Sequence, residues 1–278
     1  MYPKREKRAR KRRAIYLLPN LCTTLSLLAG FFSMVSSIQG HFVAASWAIF
    51  LAALLDALDG TVARMTGTTS RFGVEYDSLC DLVSFGCAPA LLVYQWALNP
   101  ALFKLHFLQH PGPDEKTLTL GLLVSFIFLA CGALRLARFN VSAGQRDPGF
   151  FQGLPIPGGA IMLSSMVLWF HRTGAANEHP NDILVVTLIL VVSFLMVSNL
   201  DYFSLKHRSI TKNNHPFETL VLFVLIATLV LIRAKTLLFP LGMVYITSGP
   251  IVTLVRYLTK GPVITEEEKI PEEEEQNK

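Results

Sequence analysis

Apolar stretches of about 20 residues recur along most of this 278-residue chain, and that is the length an α-helix needs to cross the hydrocarbon core of a bilayer. Eight such windows stand out, at about 17–38, 43–65, 77–98, 118–138, 156–171, 182–200, 217–233 and 237–257. The fifth is short, and only Arg233 to Thr236 separate the last two, so six or seven crossings also fit the pattern. Charged residues make up 16% of the chain, against roughly 25% in a soluble domain. No soluble domain fits anywhere. The expectation is an all-α, polytopic membrane bundle of about eight helices. Residues 1–14 form a basic N-terminal segment, 15–258 the membrane domain and 259–278 an acidic tail.

Basic residues give the orientation. The run "KREKRARKRR" carries eight Lys/Arg, and with the loops and tail on its side the count is 20 of the chain's 25. The opposite side keeps Lys104, Lys116, Arg172, Arg233 and Lys235. Basic residues concentrate on the cytoplasmic side, so both termini are expected inside, in a bacterial inner membrane. The apolar stretch after the basic run is too long for a signal peptide. The run itself suits anionic headgroups, at about 1 kcal/mol per basic residue near the surface. Nothing folded accompanies it that would suit nucleic acid. The tail "TEEEKIPEEEEQNK" reads as a solvated charge run. Cys22, Cys80, Cys87 and Cys131 lack metal-ligand spacing and read as small apolar helix residues, and none of the seven histidines is given a role.

Four acids interrupt this apolar pattern: Asp56, Asp59, Asp77 and Asp81. Asp56 and Asp59 are three apart and Asp77 and Asp81 four apart, so each pair shares a helix face. Between the pairs, "MTGTTSRFG" reads as a turn. The second and third spans then form an antiparallel hairpin with its tip near residue 69. Asp59 and Asp81 lie about 15–18 Å back from that tip, at about 1.5 Å per residue, so the two pairs face each other. An ionised acid near a helix centre costs roughly 2.5–3.5 kcal/mol, and Arg64 alone cannot neutralise four. Clustered oxygen ligands suit hard divalent cations such as Mg2+ or Mn2+, and four carboxylates suffice for the two-ion arrangement used in phosphoryl displacement. Intramembrane acids also mark ion pathways, so a cation-coupled transporter is the rival from another class.

Written out, the stretch is Asp56-x2-Asp59-Gly60-x2-Ala63-Arg64-x8-Gly73-x3-Asp77-x3-Asp81. This resembles the signature of the CDP-alcohol phosphotransferases, integral membrane enzymes of phospholipid synthesis, at every defined position. The resemblance implies a core of about six helices with extra C-terminal ones here, usually as a homodimer. It also implies transfer of a substituted phosphate from a CDP-linked donor to an alcohol, with release of CMP. By the same resemblance the four aspartates ligate two divalent ions, and Asp81 is the general base that takes the proton of the acceptor hydroxyl. The chemistry of the intervening residues agrees. Gly60 and Ala63 leave room for a ligand against the helix, Arg64 offers donors suited to phosphate, and Ser70 has a hydroxyl to give. Gly73, with Asn20 in "LLPNLCTTLSLLAG", completes the expected donor-binding set. Helix packing explains Gly60 and Ala63 equally well one at a time, as a role of positive-inside anchor does Arg64.

The stretches 17–30 and "GALRLARFNVSAGQRDPGFFQGLPIPGGA" (132–160) look like the phosphatidylserine synthase branch of that family, so CDP-diacylglycerol and L-serine are the implied substrates. Arg135 and Arg138 share a face and would bind the donor phosphate or the serine carboxylate, or else act as membrane-boundary anchors. Asn140 would cap a helix or touch substrate. Pro155 and Pro157, with Gly158 and Gly159, would shape a loop over the pocket. No Ser, Cys or His stands beside a base as a covalent nucleophile, which favours direct transfer. Glycerol 3-phosphate is the nearest alternative acceptor and would call for more cations than these two arginines. A transporter would want acids along a path or repeated halves, and the chain has neither.

Overall fold

The computed structural model describes residues 3–66, 70–98, 115–141, 150–173, 182–203 and 234–260, with the backbone alone for 3–19, 62–66, 71, 115–119, 150–152, 182, 201–203, 234–235, 254–257 and 259–260. The basic run does not precede the first helix but belongs to it: α1 spans Pro3–Ile38. It ends in a left-handed Gly40 (φ 78°). There Gly40 N–H donates to Ser37 O (3.1 Å) and His41 N–H to Ser36 O (2.8 Å), the paired closure that satisfies carbonyls at a helix end. The chain then reverses into α2, Phe42–Thr66. The seam between the two helices is built from small buried residues, among them Ser26, Ala29 and Ser33 of α1 and Ala45, Ala48 and Ala52 of α2. Small side chains let backbones approach, which is the main source of helix association in lipid.

The expected hairpin turn is tighter than the sequence suggested. Ser70 already caps α3 (Arg71–Asp81), accepting from Gly73 N–H at 3.0 Å, so Arg71 to Gly73 are helical. Beyond Asp81 the helix widens over Leu82–Cys87, continues as α4 (Ala88–Val93) and widens again over Tyr94–Leu98. Pro89 explains the first widening. It has no N–H for the carbonyl four residues earlier and its ring crowds that carbonyl. The backbone shifts to bonds five residues apart, as in Ala88 N–H to Val83 O. Such π turns re-aim the side chains around them. Here the turn buries Ser84, Phe85 and Gly86 directly after the last acid.

Helix α5 (Glu115–Val141) returns along this segment. Gly121 lets it close in: a Cβ there would stand 2.3 Å from Leu98 O. Helices α6 (Ile156–Thr173), α7 (Asp182–Val197) and α8 (Ala234–Lys260) complete the described part of the bundle. α6 and α8 are antiparallel, with Trp169 against Phe239 (ring centroids 5.5 Å apart) at one end and Tyr245 beside Gly158 at the other. The core runs through Phe85, Phe128, Leu154, Ile156, Met162, Leu163 and Met166.

Five helices among the described residues are long and apolar enough to cross a membrane: Asn20–Ile38, Phe42–Thr61, Phe72–Leu98, Leu120–Val141 and Thr236–Thr253. A shorter apolar helix covers Ile183–Val197. The chain is an integral membrane protein of helical-bundle class. The expected span 217–233 and residues 261–278 of the acidic tail lie outside the described residues. One feature was not expected. β1 (Phe150–Gln152) pairs antiparallel with β2 (Asp201–Phe203), tying the strap before α6 to the strap after α7. The strap is pinned there. Gly153 (φ 73°) donates to Leu200 O (2.8 Å) and Leu154 to Leu195 O (2.9 Å). Pro155 and Pro157 thus flank the start of α6 on a strap held against α7, not on a free loop.

Candidate functional site

The four acids converge. One carboxylate oxygen from each of Asp56, Asp59 and Asp77 lies within 4.8 Å of the other two, and the carboxyl of Asp81 is in hydrogen-bonding contact with that of Asp56. The hairpin explains the pairing. Asp59 stands opposite Asp77, and Asp56 opposite Asp81, about a tip between α2 and α3. Asp59 is buried, at 5% exposure. Carboxylates this close repel unless a cation or a proton sits between them, and the repulsion grows as water is excluded. The donor set is all oxygen, which suits Mg2+, Ca2+ or Mn2+ rather than a thiolate-seeking metal. Asp77 Oδ1 is buried and has no hydrogen-bond partner among the described residues. Buried polar atoms are almost always paired, so an unpaired oxygen on a carboxylate beside two other acids fits a cation ligand. Asp56, Asp59 and Asp77 could hold one divalent ion, with Asp81 next to them.

Helix α1 closes the site with a polar edge that sequence reasoning missed. Thr23 Oγ1 donates to Asp59 Oδ2 at 2.8 Å. One residue on, Thr24 Oγ1 shares a hydrogen bond with Tyr76 Oη at 3.0 Å. Asn20 Oδ1 lies 3.5 Å from the place where a Cβ on Gly73 would stand, so the expected donor-binding residues Asn20, Ser70 and Gly73 do come together. The signal was present. Asn20, Thr23 and Thr24 are spaced i, i+3 and i+4, one polar face in an apolar helix. Gly60 lies on α2 beside Asp59, and Ala63 and Arg64 on its next turn; their side chains lie outside the described residues.

On the facing side, Asn140 of α5 reaches α3: its Nδ2 donates to Ser78 Oγ at 3.0 Å, between Asp77 and Asp81 in sequence. Arg135, five residues earlier on antiparallel α5, therefore lies near the depth of Asp81. It is buried, at 8% exposure, with its guanidinium 5.9 Å from the Phe139 ring centroid. Arg138, expected to bind an anion or to anchor at the membrane boundary, reaches the end of α7. Its Nη1 donates to Val197 O (3.1 Å) and Asn199 Oδ1 (2.8 Å), and its Nη2 to Ser198 O (3.0 Å). A guanidinium at the end of α7 meets carbonyls that have no partner in the helix. A Cβ on Gly153 would stand 3.2 Å from Nη2 and 2.5 Å from Met196 O, which explains the glycine. The "RLARFN" and "FQGLP" segments thus meet in one lock on α7. The four cysteines are unpaired by disulfides, as expected of helix residues.

Comparison with known proteins agrees with this geometry. Residues 16–180 match the family model described as CDP-alcohol phosphatidyltransferase. The CDP-diacylglycerol–serine O-phosphatidyltransferase of Helicobacter pylori is 37% identical over 188 residues, covering 68% of this chain and 72% of that one. The archaetidylserine synthase of Methanothermobacter thermautotrophicus is 37% identical over 187 residues, 66% of this chain and 69% of that one. A CDP-diacylglycerol–serine O-phosphatidyltransferase of Methanocaldococcus jannaschii is 37% identical over 154 residues, 55% and 61% of the two chains.

Proposed function

This chain belongs to the CDP-alcohol phosphatidyltransferase family, and we propose that it transfers the phosphatidyl group of CDP-diacylglycerol to the hydroxyl of L-serine, giving phosphatidylserine and CMP. The observation that carries the reading is the convergence of Asp56, Asp59 and Asp77 within 4.8 Å, with Asp81 against Asp56, inside membrane-spanning helices. The acceptor is argued from the relatives. Their names share serine and differ in the lipid, so the acceptor is the common element.

The chemistry follows from charge. In direct displacement the serine oxygen bonds to the phosphorus that carries diacylglycerol, the bridging P–O bond breaks, and CMP leaves with that bridging oxygen. Asp81 takes the hydroxyl proton as the new bond forms. Asp56, Asp59, Asp77 and Asp81 would hold two divalent ions, Mg2+ or Mn2+. When bound, these offset the charge of the diphosphate and of the departing phosphate. Gly60, Ala63, Arg64, Ser70, Gly73 and Asn20 would receive the nucleotide and its phosphates, with Gly73 leaving space beside Asn20. Arg135, buried near the depth of Asp81, would meet the serine carboxylate, to which a guanidinium forms two parallel bonds. No covalent enzyme intermediate is required. The active site faces the cytoplasm with both termini, in a bacterial inner membrane and in a homodimer. The basic residues of 1–14 lie against anionic lipid, 15–258 form the catalytic domain, and nucleic acid is not a partner.

The test is CMP release from CDP-diacylglycerol by the purified protein in lipid, with Mn2+ or Mg2+ and a panel of alcohols. Release with L-serine and not with glycerol 3-phosphate is expected. Release with glycerol 3-phosphate alone would transfer the protein to the phosphatidylglycerophosphate branch. Cation flux without CMP release would make it a transporter.

A further inference from the structure

Burial costs a hydroxyl its water, so it must find another acceptor. A threonine in a membrane helix has one at hand, the carbonyl one turn earlier. Thr24 uses it, donating to Asn20 O at 2.7 Å, and so does Thr61, to Ala57 O at 2.7 Å. Thr23, 5% exposed, sends its hydroxyl across to the neighbouring helix, onto Asp59 Oδ2 at 2.8 Å. The two ends of that bond are fixed independently. Ser26 of α1, one turn from Thr23, donates to Ala52 O of α2 at 3.0 Å, and Ser84 donates to Ser26 O at 3.1 Å. Asp59 therefore has one oxygen fixed by α1, whereas Asp77, across the same cluster, keeps a buried oxygen with no hydrogen-bond partner among the described residues.

We propose that Thr23 is a positioning residue: its hydroxyl holds the Asp59 carboxylate in the one orientation that closes a divalent-cation site with Asp56 and Asp77. This rests on the metal-dependent reading above. A partner of this kind orients a ligating carboxylate without touching the ion, and its loss typically weakens metal binding by about 10- to 100-fold.

Mn2+ binding to the full-length protein in lipid nanodiscs, followed by the electron paramagnetic resonance signal of free Mn2+, reads this without turnover. Thr23→Val keeps the shape and removes the donor. Its Mn2+ dissociation constant is expected to rise about 10- to 100-fold, with the Mn2+ dependence of CMP release moving in parallel and the rate at saturating Mn2+ staying near wild type. Thr23→Ser keeps the hydroxyl and is expected to bind like wild type. If Thr23→Val fails to give a monodisperse protein, Thr23→Ser against Thr23→Ala isolates the hydroxyl in the same way. Unchanged Mn2+ affinity on loss of the hydroxyl overturns the inference, as does a lower rate at saturating Mn2+ with no change in affinity. Failure of the wild type to bind Mn2+ at all overturns the metal-dependent reading itself, and this inference with it.

Discussion

The two halves of this bundle are both built from apolar helices and use their hydroxyls differently. In α6, α7 and α8 several serines and threonines bond back to their own helices: Ser164 to Ala160 O, Ser165 to Met162 O, Ser193 to Ile189 O, Thr247 to Met243 O. In the half built from α1 to α5 several of them cross between helices: Thr23 to Asp59, Ser26 to Ala52 O and Ser84 to Ser26 O, while Thr24 and Ser78 bond back and also meet Tyr76 and Asn140 of other helices. A back-bonded hydroxyl is merely hidden. A crossing one fixes one helix against another, which is what a site made from three helices requires. The acids lie where the crossing bonds are, and Ile156–Thr173, Ile183–Val197 and Thr236–Thr253 contain no Asp or Glu.

The largest effect expected from breaking this contrast is at Asp81. Asp81→Asn should retain the fold and lower serine-dependent CMP release by about 10²- to 10⁴-fold, the usual worth of a general base. A loss below tenfold would remove Asp81 from that role.

Next come two glycines. A Cβ on Gly30 of α1 would stand 2.7 Å from the Ser84 main chain, whereas one on Gly242 of α8 would meet the Met162 sulfur at 2.7 Å. A methionine can swing aside and a backbone cannot. Gly30→Ala is expected to cost about 1–3 kcal/mol, as overpacking does, and to depress activity by pushing α1 away from the Leu82–Cys87 turn that follows the last acid. Gly242→Ala should leave both nearly unchanged. Unfolding titrations and CMP release on the pair check this, and equal effects would erase the distinction between the halves.

Smaller still are single hydroxyls. Ser26→Ala removes an interhelical bond and should cost about 0.6 kcal/mol, the average for such bonds in membrane proteins. Ser164→Ala removes a back-bond and should cost less. Unfolding measurements on both would sharpen the contrast, and the reverse order would refute it.

The sequence was most legible where spacing and physics point the same way. The four aspartates sit at distances that place two pairs face to face on a hairpin, and their carboxylates do meet. Apolar length gave the helical-bundle class. What stayed hidden depends on partners distant along the chain. Thr23 and Asp59 are 36 residues apart, and nothing local distinguishes Thr23 from Thr24. Arg138 reads as an anion binder because the sequence gives no sign that α7 ends beside it. The three-residue strands are too short to show alternation. The start of α3 was placed six residues late because Gly73 and Ser70 look like turn residues. In fact Ser70 is a cap, and Gly73 leaves space facing Asn20.

The most direct measurement is the location of the ion. Anomalous diffraction at the manganese edge from crystals soaked in Mn2+ should place a peak about 2 Å from carboxylate oxygens of Asp56, Asp59 and Asp77, and the peak should vanish in Asp59→Asn. A protein that releases CMP at full rate with no peak between these carboxylates would contradict the account.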